Sequence, residues 1–180
     1  LKVIETLLPG VLVLEPTIFE DPRGFFMETF NAGEFASVGL PTEFVQDNHS
    51  LSREKGTLRG LHYQVDPKAQ GKLVRCLRGA ILDVAVDIRK KSPKFKKWVA
   101  EIISAENKRQ LWVPPGFAHG FVTLETDTEV VYKVTDLYSP AHDRVILWND
   151  PEINIDWQIS APILSAKDAA GKSLRDADLF

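Results

Sequence analysis

The chain has 180 residues, 44% hydrophobic and 26% charged, with 22 basic and 25 acidic residues giving a net charge of −3. That is the length of one domain, residues 1–180, with enough apolar residues to bury a core unaided, and the charge balance excludes a broad basic nucleic-acid footprint. The single cysteine, Cys76, excludes an internal disulfide framework and a cysteine-based zinc site. The aliphatic stretch Leu1–Leu14 is interrupted by Glu5, Pro9 and Gly10 and follows no basic segment, so neither a signal peptide nor a membrane span is expected. A cytoplasmic location is the simplest expectation.

Taken in chain order, most segments read as strands. Val11–Leu14 and Phe25–Phe30 come first, separated by an Asp21-Pro22-Arg23-Gly24 turn signal. Asn31–Val38 is the one early helix candidate, with Asn31 as N-cap and Gly39 just past its end. Leu58–Gln64 and Leu73–Leu77 follow as strands. Then Leu82, Val84, Val86 and Ile88 alternate with Asp83, Ala85, Asp87 and Arg89, the period of a half-buried strand. Trp98–Ile103, Gln110–Val113, Phe117–Leu124, Val130–Asp136 and Val145–Trp148 complete the set. Residues 1–165 are expected to hold a barrel with its amino-terminal strands, and the tail from Ala166 to Phe180 a short helix or two. Many short strands at close spacing without long helices predict an all-β sandwich or barrel.

Two segments have the look of a cupin-type barrel: GLHYQ at 60–64 and PPGFAHG at 114–120. A metal-binding cupin would need His-x-His and a nearby Glu from the first, plus a His from the second. Gln64 stands where the second His would be and no Glu follows within five residues, which leaves His62 and His119 as too few ligands. No metal and no other cofactor is expected. His49 and His142 read as structural. Arg59 and His62 have opposite strand parity, so for both to serve one pocket Gly60 must mark a bulge or break in the pleat.

The stretches FVQDNHS (44–50), LRGLHYQ (58–64), KLVRC (72–76), 79–87, LWVPPGFAHGF (111–121) and WND (148–150) together resemble the dTDP-4-dehydrorhamnose 3,5-epimerase family. The matches run in family order from about Ile4 to Asp168. The resemblance implies a cupin-like jelly-roll β-barrel, a homodimer, and metal-independent inversion of C3 and C5 of dTDP-4-dehydro-6-deoxy-D-glucose. The alternative it leaves is a 3- or 5-mono-epimerase, or a ketoisomerase, on a related dTDP-deoxysugar.

The resemblance also implies roles for residues. His62 is the base, Asp168 orients its imidazole, Tyr132 is the acid, and Lys72 stabilises charge developing on the C4 oxygen. Arg23 and Arg59 match diphosphate positions, as arginine forks suit phosphate oxygens. Glu28, Gln46, Asp47 and Asn48 match nucleotide contacts, Tyr138 a thymine-stacking aromatic, and Phe19 and Phe26 pocket walls. His119, Asp143 and Lys167 match further substrate contacts. The −3 average then conceals a cationic pocket of Arg23, Arg59 and Lys72. No nucleic-acid or membrane partner is expected.

Overall fold

The computed structural model describes residues 1–180 as thirteen strands with little helix. In chain order these are β1 (Lys2–Glu5), β2 (Leu12–Glu15), β3 (Ile18–Asp21), β4 (Gly24–Met27), helix α1 (Ala32–Ser37), β5 (Gln46–Ser52), β6 (Leu58–Gln64), β7 (Lys72–Arg78) and β8 (Ala80–Asp87). There follow β9 (Trp98–Ser104), β10 (Gln110–Val113), β11 (Phe117–Thr123), β12 (Thr128–Val134), β13 (Asp143–Val145), helix α2 (Ala166–Ala169) and a 3-10 turn at Leu174–Asp176. A six-stranded sheet runs β1-β2-β10-β7-β12-β5, a five-stranded sheet β13-β6-β11-β8-β9, and β3-β4 form a separate ribbon. The two large sheets share no strand, so the all-β jelly-roll expectation takes the form of two facing sheets. No helix is long and apolar enough to cross a membrane.

Period-2 alternation sends one set of side chains from each sheet into the space between them. Val74, Cys76 and Val130 from the first meet Ile81, Ala85, Phe117 and Phe121 from the second. The outer face of the five-stranded sheet is also covered, by Trp157 and Leu174 packing on Leu61, Tyr63, Leu82, Val84 and Val86. This corrects the half-buried reading of β8. Every residue from Ala80 to Asp87 is buried, because the Asp83 face looks into the gap between the sheets and the carboxyl-terminal segment covers the Leu82 face. On the outer face of the six-stranded sheet, Phe35 of α1 packs with Leu14, Leu73 and Trp112. As expected, Asn31 caps α1, its Oδ1 accepting from the Gly33 and Glu34 amides at 3.0 and 3.2 Å, and Gly39 follows in a left-handed conformation.

The irregularity that positions the site lies between β6 and β11. His119 pairs with His62 and Phe121 with Arg59, so Gly60 and Leu61 together oppose the single residue Gly120. That is the bulge the parity argument required. Directly opposed residues share a face, and His119 and Phe121 both point between the sheets. Arg59 and His62 therefore do too, while Leu58 and Leu61 join the outer core. Gly60 sits at φ +145°, and a Cβ there would lie 2.6 Å from Gly120 Cα. Only glycine permits this approach.

Candidate active site

A cleft of about 340 Å³ opens at the end of the sandwich where β6 finishes and β7 begins, lined by Gln46, Asn48, His62, Gln64, Gln70, Lys72, Tyr132, Tyr138, Asp143 and Lys167 among others. Its floor is built by both sheets. His62 comes from β6 and Tyr132 from β12, in the opposite sheet, where Tyr132 pairs with Asn48 of β5.

His62 Nε2 bonds Asp168 Oδ1, and Asp168 Oδ2 accepts from Ser165 Oγ at 2.8 Å. Ser165 is the N-cap of α2, so this short helix exists to hold a buried carboxylate against the imidazole. Burial alone would raise the Asp168 pKa, but the His62 and Ser165 hydrogen bonds and the Lys167 charge outweigh it and hold the carboxyl below its ordinary value. With an acceptor-only carboxylate at Nε2, the ring proton sits there and Nδ1 carries the free lone pair.

Lys72 is only 8% exposed and its ammonium donates to the His62 carbonyl at 3.3 Å. Burial pushes its pKa down to about 8, opposed by the charges of Asp143 and Asp83. Tyr132 is raised above its ordinary phenol value, chiefly by burial, with Arg59 and Lys167 pulling the other way. It thus keeps its proton at neutral pH. Arg59 donates from Nε to Ser52 Oγ and from Nη2 to the Leu51 carbonyl, both at 3.2 Å. Lys167 forms an ion pair with Asp143, which also accepts from Tyr138 Oη at 3.3 Å. Gln46 Oε1 accepts from the Tyr138 amide at 2.9 Å, and Gln46 Nε2 donates to Asn48 at 2.8 Å.

Gln64, at the position of a lost metal ligand, has a structural duty. Its Oε1 accepts from the Ser139 amide at 2.7 Å, and its Nε2 donates to the Lys68 and Leu137 carbonyls, which fixes the loop carrying Tyr138. His49 pairs with Glu129 on the outer face and His142 bonds Ser139 Oγ, matching the structural reading of both.

Not every expected residue reaches the cleft within one chain. Asp47 lies on the opposite face of β5 from Asn48 and pairs with Lys133 at 2.9 Å. Glu28 accepts from Asn31 beside α1. Phe19, Arg23 and Phe26 line a separate concavity on the β3-β4 ribbon, where Arg23 pairs with Asp21. Conversely, Asp83, which is not among the expected residues, holds one of them in place. It is fully buried and its Oδ1 bonds His119 Nε2 at 2.7 Å. Burial lowers the His119 pKa despite that carboxylate. The available signal is a carboxylate flanked on both sides by apolar residues, Ala80–Leu82 and Val84–Val86.

Comparison with known proteins agrees with this geometry. The family model for dTDP-4-dehydrorhamnose 3,5-epimerase matches residues 5–176. The enzyme of that name from Shigella flexneri is 58% identical over 100% of this chain and 99% of its own. A Bacillus anthracis dTDP-4-dehydrorhamnose 3,5-epimerase solved with TDP and PPi bound superposes with a TM-score of 0.94 at 53% identity, covering 96% of this chain and 98% of that one. The Legionella pneumophila dTDP-6-deoxy-D-glucose-3,5-epimerase, solved in complex with dTDP-4-keto-L-rhamnose, gives 0.93 at 48% identity over 98% and 94%. Matched by that family model over residues 5–176 and by relatives of this identity and coverage, the chain belongs to the dTDP-4-dehydrorhamnose 3,5-epimerase family.

Proposed function

We propose that the cleft inverts C3 and C5 of dTDP-4-dehydro-6-deoxy-D-glucose by side-chain acid–base chemistry, giving dTDP-4-dehydro-L-rhamnose. The observation that carries this reading is the origin of base and acid in opposite sheets. A sugar ring held between them meets His62 on one face and Tyr132 on the other. Both carbons flank the C4 ketone, so removal of either proton gives an enolate with its charge on the same oxygen. His62 Nδ1 takes the proton, and Asp168 stabilises the imidazolium that forms, a contribution of about 10²–10⁴-fold for general bases of this kind. Lys72 offers positive charge to the developing oxyanion. Tyr132 returns a proton from the far side, which completes inversion.

Arg59, with Lys167, supplies fixed cations for the diphosphate, and Tyr138 a ring for the thymine. The chain acts as one catalytic unit that works as a homodimer in the cytoplasm. Two features support the dimer. β1 is the edge of the six-stranded sheet, an open template for another strand. The β3-β4 ribbon exposes Phe19, Phe25 and Phe26 at 60%, 56% and 65%, an apolar patch that a monomer has no use for. A ribbon reaching into the partner's cleft brings Phe19, Arg23, Phe26 and Glu28 to the nucleotide. The buried single thiol of Cys76 suits a reducing compartment.

The test is incubation with dTDP-4-dehydro-6-deoxyglucose in D₂O. Deuterium at both C3 and C5 is expected. Deuterium at one carbon assigns a mono-epimerase, and binding without exchange overturns the enzymatic reading.

A further inference from the structure

The inner faces of the two sheets carry a mismatch that the mechanism above does not use. Asp83 is 0% exposed on β8, facing inward with Ile81 and Ala85. Its Oδ1 is bonded by His119, but its Oδ2 has no hydrogen-bond partner. A carboxylate oxygen without a protein donor is costly to bury. Across the gap, Lys72 shares the inner face of β7 with Val74 and Cys76. Its ammonium has three donors and makes one long hydrogen bond, to the His62 carbonyl. An orphaned acceptor and an under-used cationic donor thus lie in the same buried layer.

We propose that Asp83 is a positioning residue: it is a buried counter-charge that, with Asp143, keeps the Lys72 ammonium protonated in the cleft, while its other oxygen fixes the His119 ring. The inference rests on the epimerase reading, in which a charged Lys72 faces the enolate oxygen. The charged and titratable groups around Lys72 are Asp143 from β13, Asp83 from β8, Lys167 from α2, His62 from β6, His119 from β11 and Tyr132 from β12. Asp143 is shared with Lys167 and Tyr138. Asp143 exerts the larger pull on the ammonium, and Asp83 is the second acid acting on it, with an unpaired oxygen in the same buried layer. Around Asp83 itself stand His119, Lys72 and the Cys76 thiol.

The sign follows directly. Lys72 loses its proton as pH rises through about 8, so kcat should fall along an alkaline limb there. Removing the negative charge at Asp83 lowers the Lys72 pKa further and moves the limb to lower pH.

The experiment is the pH profile of kcat for wild type, Asp83→Asn and Asp83→Glu. A limb displaced by one unit or more in Asp83→Asn is expected, with a loss of about tenfold at pH 8 that shrinks severalfold at pH 6. Asp83→Glu, which restores the charge, should return the limb toward wild type. An Asp83→Asn profile lowered equally at every pH, with its limb unmoved, overturns the proposal and leaves Asp83 merely structural. Should Asp83→Asn not fold, the wild-type protein decides: the ¹³Cγ resonance of Asp83 should shift with the same midpoint as the Lys72 ¹⁵Nζ resonance, and a flat ¹³Cγ response through that midpoint refutes the coupling. A wild-type protein inactive on the sugar nucleotide would defeat the epimerase reading, whereas the two resonances test Asp83 and Lys72 alone.

Discussion

Substituting Gly60 by alanine tests whether the bulge positions the cleft. Two costs arise at this position. The first is conformational: at φ +145° an L side chain is strained, at about 1–3 kcal/mol. The second is steric. The added Cβ would lie 2.6 Å from Gly120 Cα and 3.1 Å from the His119 carbonyl oxygen. Both are backbone atoms of β11, so no side chain can swing away and the strands must separate. Overpacking of this kind costs a further ~1–3 kcal/mol. Gly24→Ala separates the terms, since Gly24 has φ +131° but nothing within 4 Å of an added Cβ. A chain of this length loses about 2–4 °C of Tm per kcal/mol. At the middle of these ranges, about 4 kcal/mol, Gly60→Ala should melt roughly 8–16 °C below wild type, and Gly24→Ala, with about 2 kcal/mol of strain alone, roughly 4–8 °C below. Because the clash falls between His62 and His119, kcat should also drop by about 10²-fold, the scale of a 1 Å misplacement. Differential scanning calorimetry and a coupled turnover assay read both effects. If Gly60→Ala melts with Gly24→Ala and keeps wild-type kcat, the bulge does not position the site.

His62→Ala should lose deuterium exchange at both sugar carbons, with kcat reduced about 10²–10⁴-fold and dTDP affinity by isothermal titration unchanged; exchange at one carbon would require a second base. Tyr132→Phe should keep wash-out of the substrate proton yet lose inversion, so the ratio of exchanged to epimerised sugar by NMR should rise. The folded pKa of Asp168 is depressed, so its pairing stabilises the protein above the ordinary carboxyl range and is lost as pH falls through the folded value; Asp168→Asn should flatten that part of the acid-unfolding curve, and an unchanged curve would contradict the pairing. Phe26→Ala, with its side chain 65% exposed, should leave the monomer's Tm within a few degrees but raise KM for the nucleotide sugar several-fold. An unchanged KM would remove the ribbon from the partner's cleft.

The residues facing one another across the cleft were legible because local pattern and family motif agreed. Leu58–Gln64, Trp98–Ile103 and Gln110–Val113 alternate or run apolar, and each appears as a strand within a residue or so of the expected bounds. β5 was missed because its sequence, QDNHSLS, has almost no apolar side to count. Its inward residues are polar for a functional reason: Gln46 and Asn48 line the cleft and Ser52 holds Arg59. β1 and β3 escaped for a different reason. They are four-residue pieces, one at a sheet edge and one in an isolated ribbon, too short for a period to register.

Periodicity also reports a face, not what later covers it. The alternation in β8 placed Asp83 and Asp87 correctly on the side opposite Leu82 and Val84. What it implied about water was wrong, because that side looks into the gap between two sheets. Such a carboxylate survives burial only with partners, and these are local in one case and distant in the other. Asp87 takes Arg89 at 2.7 Å and Ser92 at 2.5 Å, both local and exposed enough to be read as a turn. Asp83 instead takes His119, 36 residues away. The bulge is the converse case, a tertiary feature legible beforehand, since two residues needed in one pocket had the wrong parity and a glycine stood between them. A long-range pairing becomes visible in a sequence when function over-determines the geometry, as with Arg59 and His62. Asp83 has no task in the motif, and so its place among the apolar residues of β8 reads as a solvent-facing position until the sheets are laid face to face.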